Sequence, residues 1–169
     1  MRVGTLQLDL KQRRPFDSRE AEAYLNLVRT TDLLTREVAA VLKTHQLSEA
    51  QYNVLRILRG AGPEGLACSE IGHRLVTRDP DVTRLLDRLA VRALITRGRD
   101  PADRRVVTAR ISAAGLARLD ALDVPVRQAV ERMLAPLGAR RLNTLIELLE
   151  IARAPVATAL PGRPNRPVL

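Results

Sequence analysis

The sequence predicts a mainly α-helical protein with a small β-hairpin wing, on three observations. Hydrophobic residues make up 46% of the 169-residue chain and aromatic residues only 2%, so the core has to be built from aliphatic side chains, which favours helices packed on helices. Apolar residues recur at helical spacing over most of the chain. Two short runs on either side of residue 100 have instead the composition of β-strands.

A long amphipathic helix is predicted over residues 19–44, where the apolar residues fall on one face. Asp17 or Ser18 is placed to cap its start. Residues 1–18 contain several basic side chains and little to bury, so this segment is predicted as a flexible basic N-terminal arm.

The next two helices follow from capping signals. Ser48 and Gln51 have the spacing of a capping box, so a helix is predicted to begin there and to end at the glycines and proline of residues 60–63. A short helix is predicted over residues 66–76. After a turn, Asp79 can cap a further helix, with Pro80 at its first position, where a missing amide donor costs nothing.

A β-hairpin is predicted from the strand-like runs Leu94–Arg97 and Arg105–Ile111. Between them, Asp100 and Pro101 suit the first two positions of a type I turn in a projecting loop. Arginines flank this loop on both sides, so the tip of the hairpin is predicted to be basic.

Two more helices are predicted in the C-terminal part of the chain. Ser112 can cap a long helix that Pro125 should kink or interrupt, and a last helix is expected over residues 139–153. Residues 154–169 contain four prolines and few residues to bury, so they are predicted to form a disordered tail.

The charge distribution predicts an anionic partner, because Lys and Arg outnumber Asp and Glu by 28 to 19, a net charge of +9. The segment from Gly72 to Arg110 contains ten arginines and five aspartates. Helix, turn, helix and basic hairpin is the order of a winged helix-turn-helix, in which one helix enters the DNA major groove and the wing reaches the minor groove. We therefore predict a winged helix-turn-helix DNA-binding domain over residues 47–111.

The helices outside this domain carry wider apolar stripes than packing against the winged domain alone could cover. A partner surface is therefore expected, and residues 19–46 and 112–153 are predicted to form a helical dimerisation region. An interface of obligate size buries on the order of 2,000 Å² or more.

Three stretches of the chain carry a more specific pattern. They are Leu66–Leu75 (LACSEIGHRL), Asp79–Leu89 (DPDVTRLLDRL) and Asp100–Arg105 (DPADRR), the last followed by ISAAG at 111–115. Over about residues 20 to 152 the sequence resembles the MarR family of multiple-antibiotic-resistance-type transcriptional regulators. The helix predicted to begin at Asp79 corresponds to the recognition helix of this family, the one that enters the major groove. Two positions depart from the family pattern: Ala67 stands in place of a capping threonine, and Ala93 in place of a glycine after the recognition helix.

The exposed side of the recognition helix supplies the first group of candidate DNA contacts. Thr83 and Arg84 are predicted to face the major groove, with Arg88 one turn further on. Arg78 and Asp79 lie at the start of the helix. For the three arginines, contact with phosphate is favoured over base reading, since most protein–DNA hydrogen bonds go to the backbone.

The wing supplies the second group. The resemblance implies that Arg105 enters the minor groove, with Arg99 and Arg104 beside it. For Asp103 two compatible roles are open: it positions the Arg105 guanidinium through an ion pair, or its carboxylate caps the turn.

The resemblance implies a cytoplasmic bacterial regulator, usually a repressor in this family, that acts as a homodimer on a pseudo-palindromic operator in double-stranded DNA. It also implies a small effector, often aromatic or anionic, that binds between the dimer helices and the winged domain. Two other functions fit the residues. One is a winged-helix interaction module that binds protein or RNA, and the other is architectural DNA compaction, against which the absence of an apolar wedge at the wing tip counts.

The residues predict no enzyme, metal site or cofactor. His45, His73 and Cys68 do not have the spacing of zinc ligands, and the serines fall at helix starts, where capping explains them better than catalysis. Cys68 is interpreted as a small semi-buried residue rather than a redox switch, since peroxide-sensing members of the family carry their cysteine in the first helix. The chain shows no membrane-spanning run and no signal-peptide core, so a cytoplasmic location and no membrane partner are expected.

Overall fold

The computed structural model describes residues 5–77, 81–100 and 103–159, and within these ranges it consists of seven α-helices, one short 3-10 helix (Ala135–Leu137) and a three-stranded antiparallel sheet. The mainly α-helical fold with a hairpin wing is confirmed. The helices are α1 (Thr5–Asp9), α2 (Arg19–Lys43), α3 (Glu49–Ala61), α4 (Cys68–Arg74), α5 (Val82–Val91), α6 (Ala113–Leu134) and α7 (Gly138–Ala159). The strands are β1 (Leu66–Ala67), β2 (Ile95–Arg99) and β3 (Val107–Ile111).

Three serines start the long helices as the sequence predicts. The Ser18 hydroxyl accepts from the Ala21 amide at 3.0 Å, which selects Ser18 over Asp17 as the cap of α2. Ser48 and Gln51 form both hydrogen bonds of a capping box at α3, and Ser112 caps α6. Each cap provides an acceptor for a backbone amide that has no partner within the helix, which stabilises the fold by about 1 kcal/mol.

The core of the winged domain lies between α3, α4, α5 and the sheet. Its largest fully buried side chains are aliphatic, as the low aromatic content requires: Leu42, Val54, Leu55, Leu58, Ile71, Leu86, Leu89, Ile95, Leu119 and Leu122. Leu42 of α2 and Leu119 and Leu122 of α6 belong to the same cluster, so the winged domain and the long helices share one core.

The sheet differs from the predicted hairpin by one strand. β3 lies in the centre, with β2 on one side and β1 on the other, in the order β1-β3-β2. Leu66 pairs with Ala109, so the expected helix start at residue 66 is wrong and α4 begins two residues later, at Cys68. Gly65 makes this pairing possible: its φ is +73°, and a Cβ there would lie 2.2 Å from the Ala109 carbonyl oxygen.

Two helices include a proline, so the interruption predicted at Pro125 as one of two outcomes does not occur. α6 continues through Pro125, and buried residues lie on both sides of it, namely Leu122 and Ala129. α7 includes Pro155 and extends to Ala159, whereas the predicted helix ends at residue 153. Proline has a φ close to that of a helix, so tertiary packing can outweigh the loss of one backbone hydrogen bond.

At the N-terminus, the prediction of a flexible arm is wrong over a short stretch. Residues 5–9 form α1, and the Leu6 side chain is only 4% exposed. Residues 160–169, which make up most of the predicted disordered tail, lie outside the described residues. None of the helices in the described ranges combines the length and apolarity required to cross a lipid bilayer.

Candidate nucleic-acid interface

Helix α5 is held against the core by one apolar face and leaves the other face open. Leu85, Leu86 and Leu89 are buried, packed with α3, α4 and β2. The exposed side carries the polar residues predicted for DNA contact, Thr83, Arg84 and Arg88, together with Asp87. The chain therefore presents a polar helix face on an apolar base.

The start of α5 corrects one capping prediction. The Asp81 carboxylate accepts a hydrogen bond from the Arg84 amide at 2.9 Å, so Asp81 is the N-cap and the helix begins at Val82. Arg78, Asp79 and Pro80, which the sequence places at this helix start, lie outside the described residues. The Arg84 guanidinium lies 3.3 Å from Asp81, and its side chain is 72% exposed, so it can exchange this contact for a phosphate.

The loop between β2 and β3 is held by hydrogen bonds among its own residues, from both backbone and side chains. The Asp100 amide donates to the Val106 carbonyl at 2.9 Å, and the Val106 amide donates to the Asp103 carbonyl at 2.9 Å. The Arg99 guanidinium donates to the Arg104 carbonyl at 2.8 Å. Arg99, Arg104 and Arg105 are all exposed, so the wing carries three cationic side chains on a braced turn.

Asp103 caps this turn. Its carboxylate accepts a hydrogen bond from the Arg105 amide at 2.9 Å. Within the described part of the chain, no ion pair joins this carboxylate to the Arg105 guanidinium, so of the two predicted roles the structure contains the capping one. The Arg105 side chain is thereby fixed at its backbone and left exposed at its charged end.

An ion pair that the sequence does not reveal joins the recognition helix to the wing. Arg97 of β2 pairs with Asp87 of α5, and its side chain is only 25% exposed. Asp87 lies on the same exposed face as Arg84 and Arg88, so the pair sets this face beside the wing. Arg97 was predicted only as one of the arginines that flank the loop, because its partner is ten residues away across a turn.

Several arginines of the basic segment already have a partner within the protein. Arg74 pairs with Glu70 at 3.0 Å, Arg92 donates to the Gln46 carbonyl at 2.7 Å, and Arg110 donates to the Pro63 carbonyl at 3.2 Å. The excess of arginine over aspartate between residues 72 and 110 therefore overstates the charge available to a partner.

The turn after α5 shows what the substitution at Ala93 does. The Leu94 amide donates to the Leu89 carbonyl and the Ala93 amide to the Ala90 carbonyl, which are the two bonds of a Schellman motif. Ala93 has a φ of +54°, a conformation that glycine adopts freely and alanine does not. At the other position that departs from the family pattern, Ala67, the start of α4 has no side-chain cap.

A bidentate ion pair connects the winged domain to α6. The Arg59 guanidinium donates to both oxygens of Asp123, at 2.7 and 2.9 Å, and lies 3.5 Å from Asp120. The hydrogen bonds from Arg59 lower the pKa of Asp123, and the same contact raises the pKa of Arg59. Both side chains are about a third or more exposed, so the pair orients α3 on α6 more than it stabilises the fold.

A cavity of about 290 Å³ lies between α2, α3 and α6 and the segment that follows α4. Its wall is mainly apolar, with contributions from Leu34, Val38 and Met133. Its polar groups come mainly from α3, with Thr35 of α2 and Thr77 in addition. They include Arg56, whose guanidinium carbon lies 5.8 Å from the ring centre of Tyr52, and burial raises the pKa of that tyrosine. Sequence periodicity could not reveal this cavity, because four separate elements contribute to it.

The described residues contain no group of three His, Cys, Asp or Glu side chains placed to hold a metal ion. The features above are instead those of a surface that binds a large anion: a polar helix face, a braced cationic wing and an ion pair that joins them.

Comparison with known proteins agrees with this geometry. The MarR family model matches residues 47–107. The HTH-type transcriptional regulator YkoM of Bacillus subtilis is 28% identical over 141 residues, which cover 81% of this chain and 90% of that protein. The HTH-type transcriptional repressor NicR of Pseudomonas putida is 31% identical over 104 residues, 62% of this chain and 65% of that protein.

A solved structure of a MarR transcription factor from Planctomyces limnophilus is 46% identical in sequence and superposes with a TM-score of 0.63, covering 81% of this chain and 99% of that chain. Identity at this level over nearly the whole of the other chain shows common descent as well as a common fold. The chain therefore belongs to the MarR family of winged helix-turn-helix transcriptional regulators, and it is a regulator rather than an enzyme.

Proposed function

We propose that this protein is a sequence-specific DNA-binding repressor that works in the bacterial cytoplasm as a homodimer on a pseudo-palindromic operator. The observation that carries the proposal is the Arg97–Asp87 ion pair, which holds the exposed face of α5 beside the basic wing. The same domain thus offers a helix to the major groove and a cationic tip to the neighbouring minor groove. The repressor role is supported by the name of the relative NicR.

In this proposal, Thr83 reads the major groove, and Arg84 and Arg88 bind phosphate on either side of it. Arg78 and Asp79 would extend this contact at the helix start. At the wing, Arg105 enters the minor groove, and Arg99 and Arg104 contact the flanking backbone. Asp103 holds the turn through the Arg105 amide and so aims that side chain.

Apolar side chains left open on the long helices support a homodimer. α2, α6 and α7 expose Tyr24, Leu27, Val28, Leu33, Leu116, Val124, Val130, Ile146, Leu148 and Ile151, each between 37% and 65% accessible. Solvent-exposed apolar area of this extent marks a protein interface. A second copy covers it in the proposed dimer, and a two-fold axis then sets the two recognition helices about 34 Å apart, one turn of DNA.

The cavity between α2, α3 and α6 is the proposed effector site. Its volume of about 290 Å³ suits a molecule of one or two rings, and its apolar wall with Arg56 at one side suits an aromatic or anionic compound. It lies between the helices proposed for dimerisation and the winged domain, so an occupant can alter how the two are set against each other.

The function is tested by selecting duplexes from a random pool with the full-length protein and measuring the affinity for the selected duplex and for random duplex over a range of salt. We expect a preference of at least about a thousandfold and a fall of log affinity with log salt at about −0.9 per neutralised phosphate. Replacing both Arg84 and Arg105 with alanine is expected to abolish selective binding and to reduce the salt slope by about two.

A matched control separates the role of these side chains from the loss of charge. Arg36 and Arg127 are 71% and 65% exposed at the side chain and lie on α2 and α6, away from the proposed DNA face. Their double alanine variant removes the same charge and, with its dimer mass verified first because both residues lie on the helices proposed for dimerisation, should retain operator preference. Equal affinity for all duplexes, or binding to RNA or protein instead, would reject the operator proposal, and a salt slope without preference would indicate DNA compaction.

A further inference from the structure

The cavity and the recognition helix share a stretch of chain. Val76 and Thr77 line the cavity, and they follow α4 and precede the start of α5 at Val82. An occupant of the cavity therefore contacts the segment that leads into the recognition helix.

One side chain of the cavity fixes this segment. Asn53 of α3 lines the cavity, and its Oδ1 accepts a hydrogen bond from the Val76 amide at 3.0 Å. The Val76 side chain is 77% exposed, so apolar packing contributes little to holding this residue. Leu75, immediately before it, is buried and anchors the end of α4. The hydrogen bond to the Asn53 side chain thus holds the first residue after the buried end of α4, where the segment that leads to α5 begins.

We propose that Asn53 is a positioning residue that couples occupancy of the cavity to the orientation of the recognition helix. The inference rests on the function proposed above. With the Asn53–Val76 bond intact, the Val76–Thr77 wall lies close to α3 and the cavity is small. A molecule too large for that space, or one that hydrogen-bonds the Asn53 amide itself, favours the state in which the bond is broken and the wall has moved. A ligand shifts an equilibrium only through such a difference in affinity for the two states.

The experiment needs no identified ligand, because a larger side chain can fill the cavity. Leu34→Trp enlarges a residue of the α2 wall, and Asn53→Ala removes the acceptor. Asn53→Asp keeps an oxygen at the same position and serves as the conservative variant. Asn26→Ala is the matched control: it removes a side-chain hydrogen bond of 2.9 Å to the Glu22 carbonyl, outside the cavity.

Two quantities are measured on the full-length variants: hydrogen exchange at the Val76 amide, and affinity for the duplex that the wild-type protein selects. Asn53→Ala is expected to raise exchange at Val76 and to weaken selected-duplex binding about tenfold, with little change for random duplex. Asn53→Asp should stay within about twofold of wild type in both. Leu34→Trp alone should also weaken binding to the selected duplex. Because both substitutions act on the same contact, the affinity of the double variant Leu34→Trp/Asn53→Ala should equal that of whichever single variant binds less tightly.

The proposal is overturned if exchange at Val76 is unchanged in Asn53→Ala, or if that variant binds the selected duplex as tightly as wild type. It is also overturned if the loss of affinity in the double variant equals the product of the losses in the two single variants. Slow exchange at the core amide of Leu58 shows that a variant is folded. If Asn53→Ala is not folded, Asn53→Ser takes its place. A wild-type protein without duplex preference would refute the proposed function, whereas the exchange comparison would still decide whether Asn53 holds the segment.

Discussion

Replacing Ala93 with glycine is expected to stabilise the protein. Ala93 is the left-handed residue of the Schellman motif that ends α5, with a φ of +54°, and its methyl group is exposed, so glycine loses no packing. A residue with a Cβ in this conformation costs about 1–2 kcal/mol. Glycine loses about 0.4–1 kcal/mol more chain entropy on folding, which offsets part of the gain. The net increase in unfolding free energy is therefore about 0.5–1 kcal/mol.

The assay is thermal or urea unfolding at one fixed protein concentration, because the stability of the proposed dimer would depend on concentration. For a chain of this size the melting temperature should rise by about 1–4 °C. Ala121→Gly is the matched control: Ala121 is also exposed but lies inside α6, where the same change should lower stability by about 1 kcal/mol. If Ala93→Gly lowers the melting temperature as Ala121→Gly does, the strain assigned to this turn is wrong.

Three further predictions test other contacts. Gly65→Ala puts a Cβ 2.2 Å from a β3 carbonyl at a φ of +73°, so it should destabilise the protein by more than about 2 kcal/mol, as measured by urea unfolding. Arg97→Met removes the ion pair with Asp87 and should weaken selected-duplex binding about tenfold, as measured by fluorescence anisotropy. Asp87→Asn keeps a hydrogen-bond acceptor for Arg97, so its loss of affinity should be smaller. Arg59 lowers the pKa of Asp123 in the folded state, so this pair stabilises the fold above the unfolded pKa of about 3.9 and stops doing so as pH falls through the folded pKa. The variant Asp123→Asn should therefore have an unfolding free energy lower than that of wild type by less than about 1 kcal/mol near neutral pH. This difference should shrink in urea unfolding curves taken towards pH 3.

Local hydrogen bonds explain why so much of the fold could be predicted. The caps at Ser18, Ser48 and Ser112 each join residues three apart, so the sequence displays both partners. The wing was predictable for a similar reason, since its strands and turn are contiguous. Strand β1 was missed because its pairing joins residues 43 apart, and two residues carry too little periodicity to be recognised.

The candidate site divides along the same line. The exposed positions of α5 follow from helical periodicity, and the wing arginines follow from their place in the loop. Arg59 and Asp123 are 64 residues apart, and the cavity is lined by four separate elements, so neither has a signature in the sequence. The charge count failed in the opposite sense, because it cannot distinguish an arginine that binds a carbonyl, such as Arg92, from one that faces solvent.

The two ends of the recognition helix are held in different ways, and this difference supports the coupling proposed for Asn53. At the C-terminal end, Ser112 donates to the Ala93 carbonyl at 2.6 Å and accepts from the Gly115 amide at 3.0 Å, so the turn after α5 is joined to the start of α6. A Cβ at Gly115 would lie 2.2 Å from the Leu94 carbonyl oxygen, so the two elements are in close contact there. The segment before α5 has the Asn53 bond at Val76 and an exposed side chain. In the proposed coupling, a displacement at the cavity wall acts first on the start of α5, where Thr83 and Arg84 lie, and last on its C-terminal end.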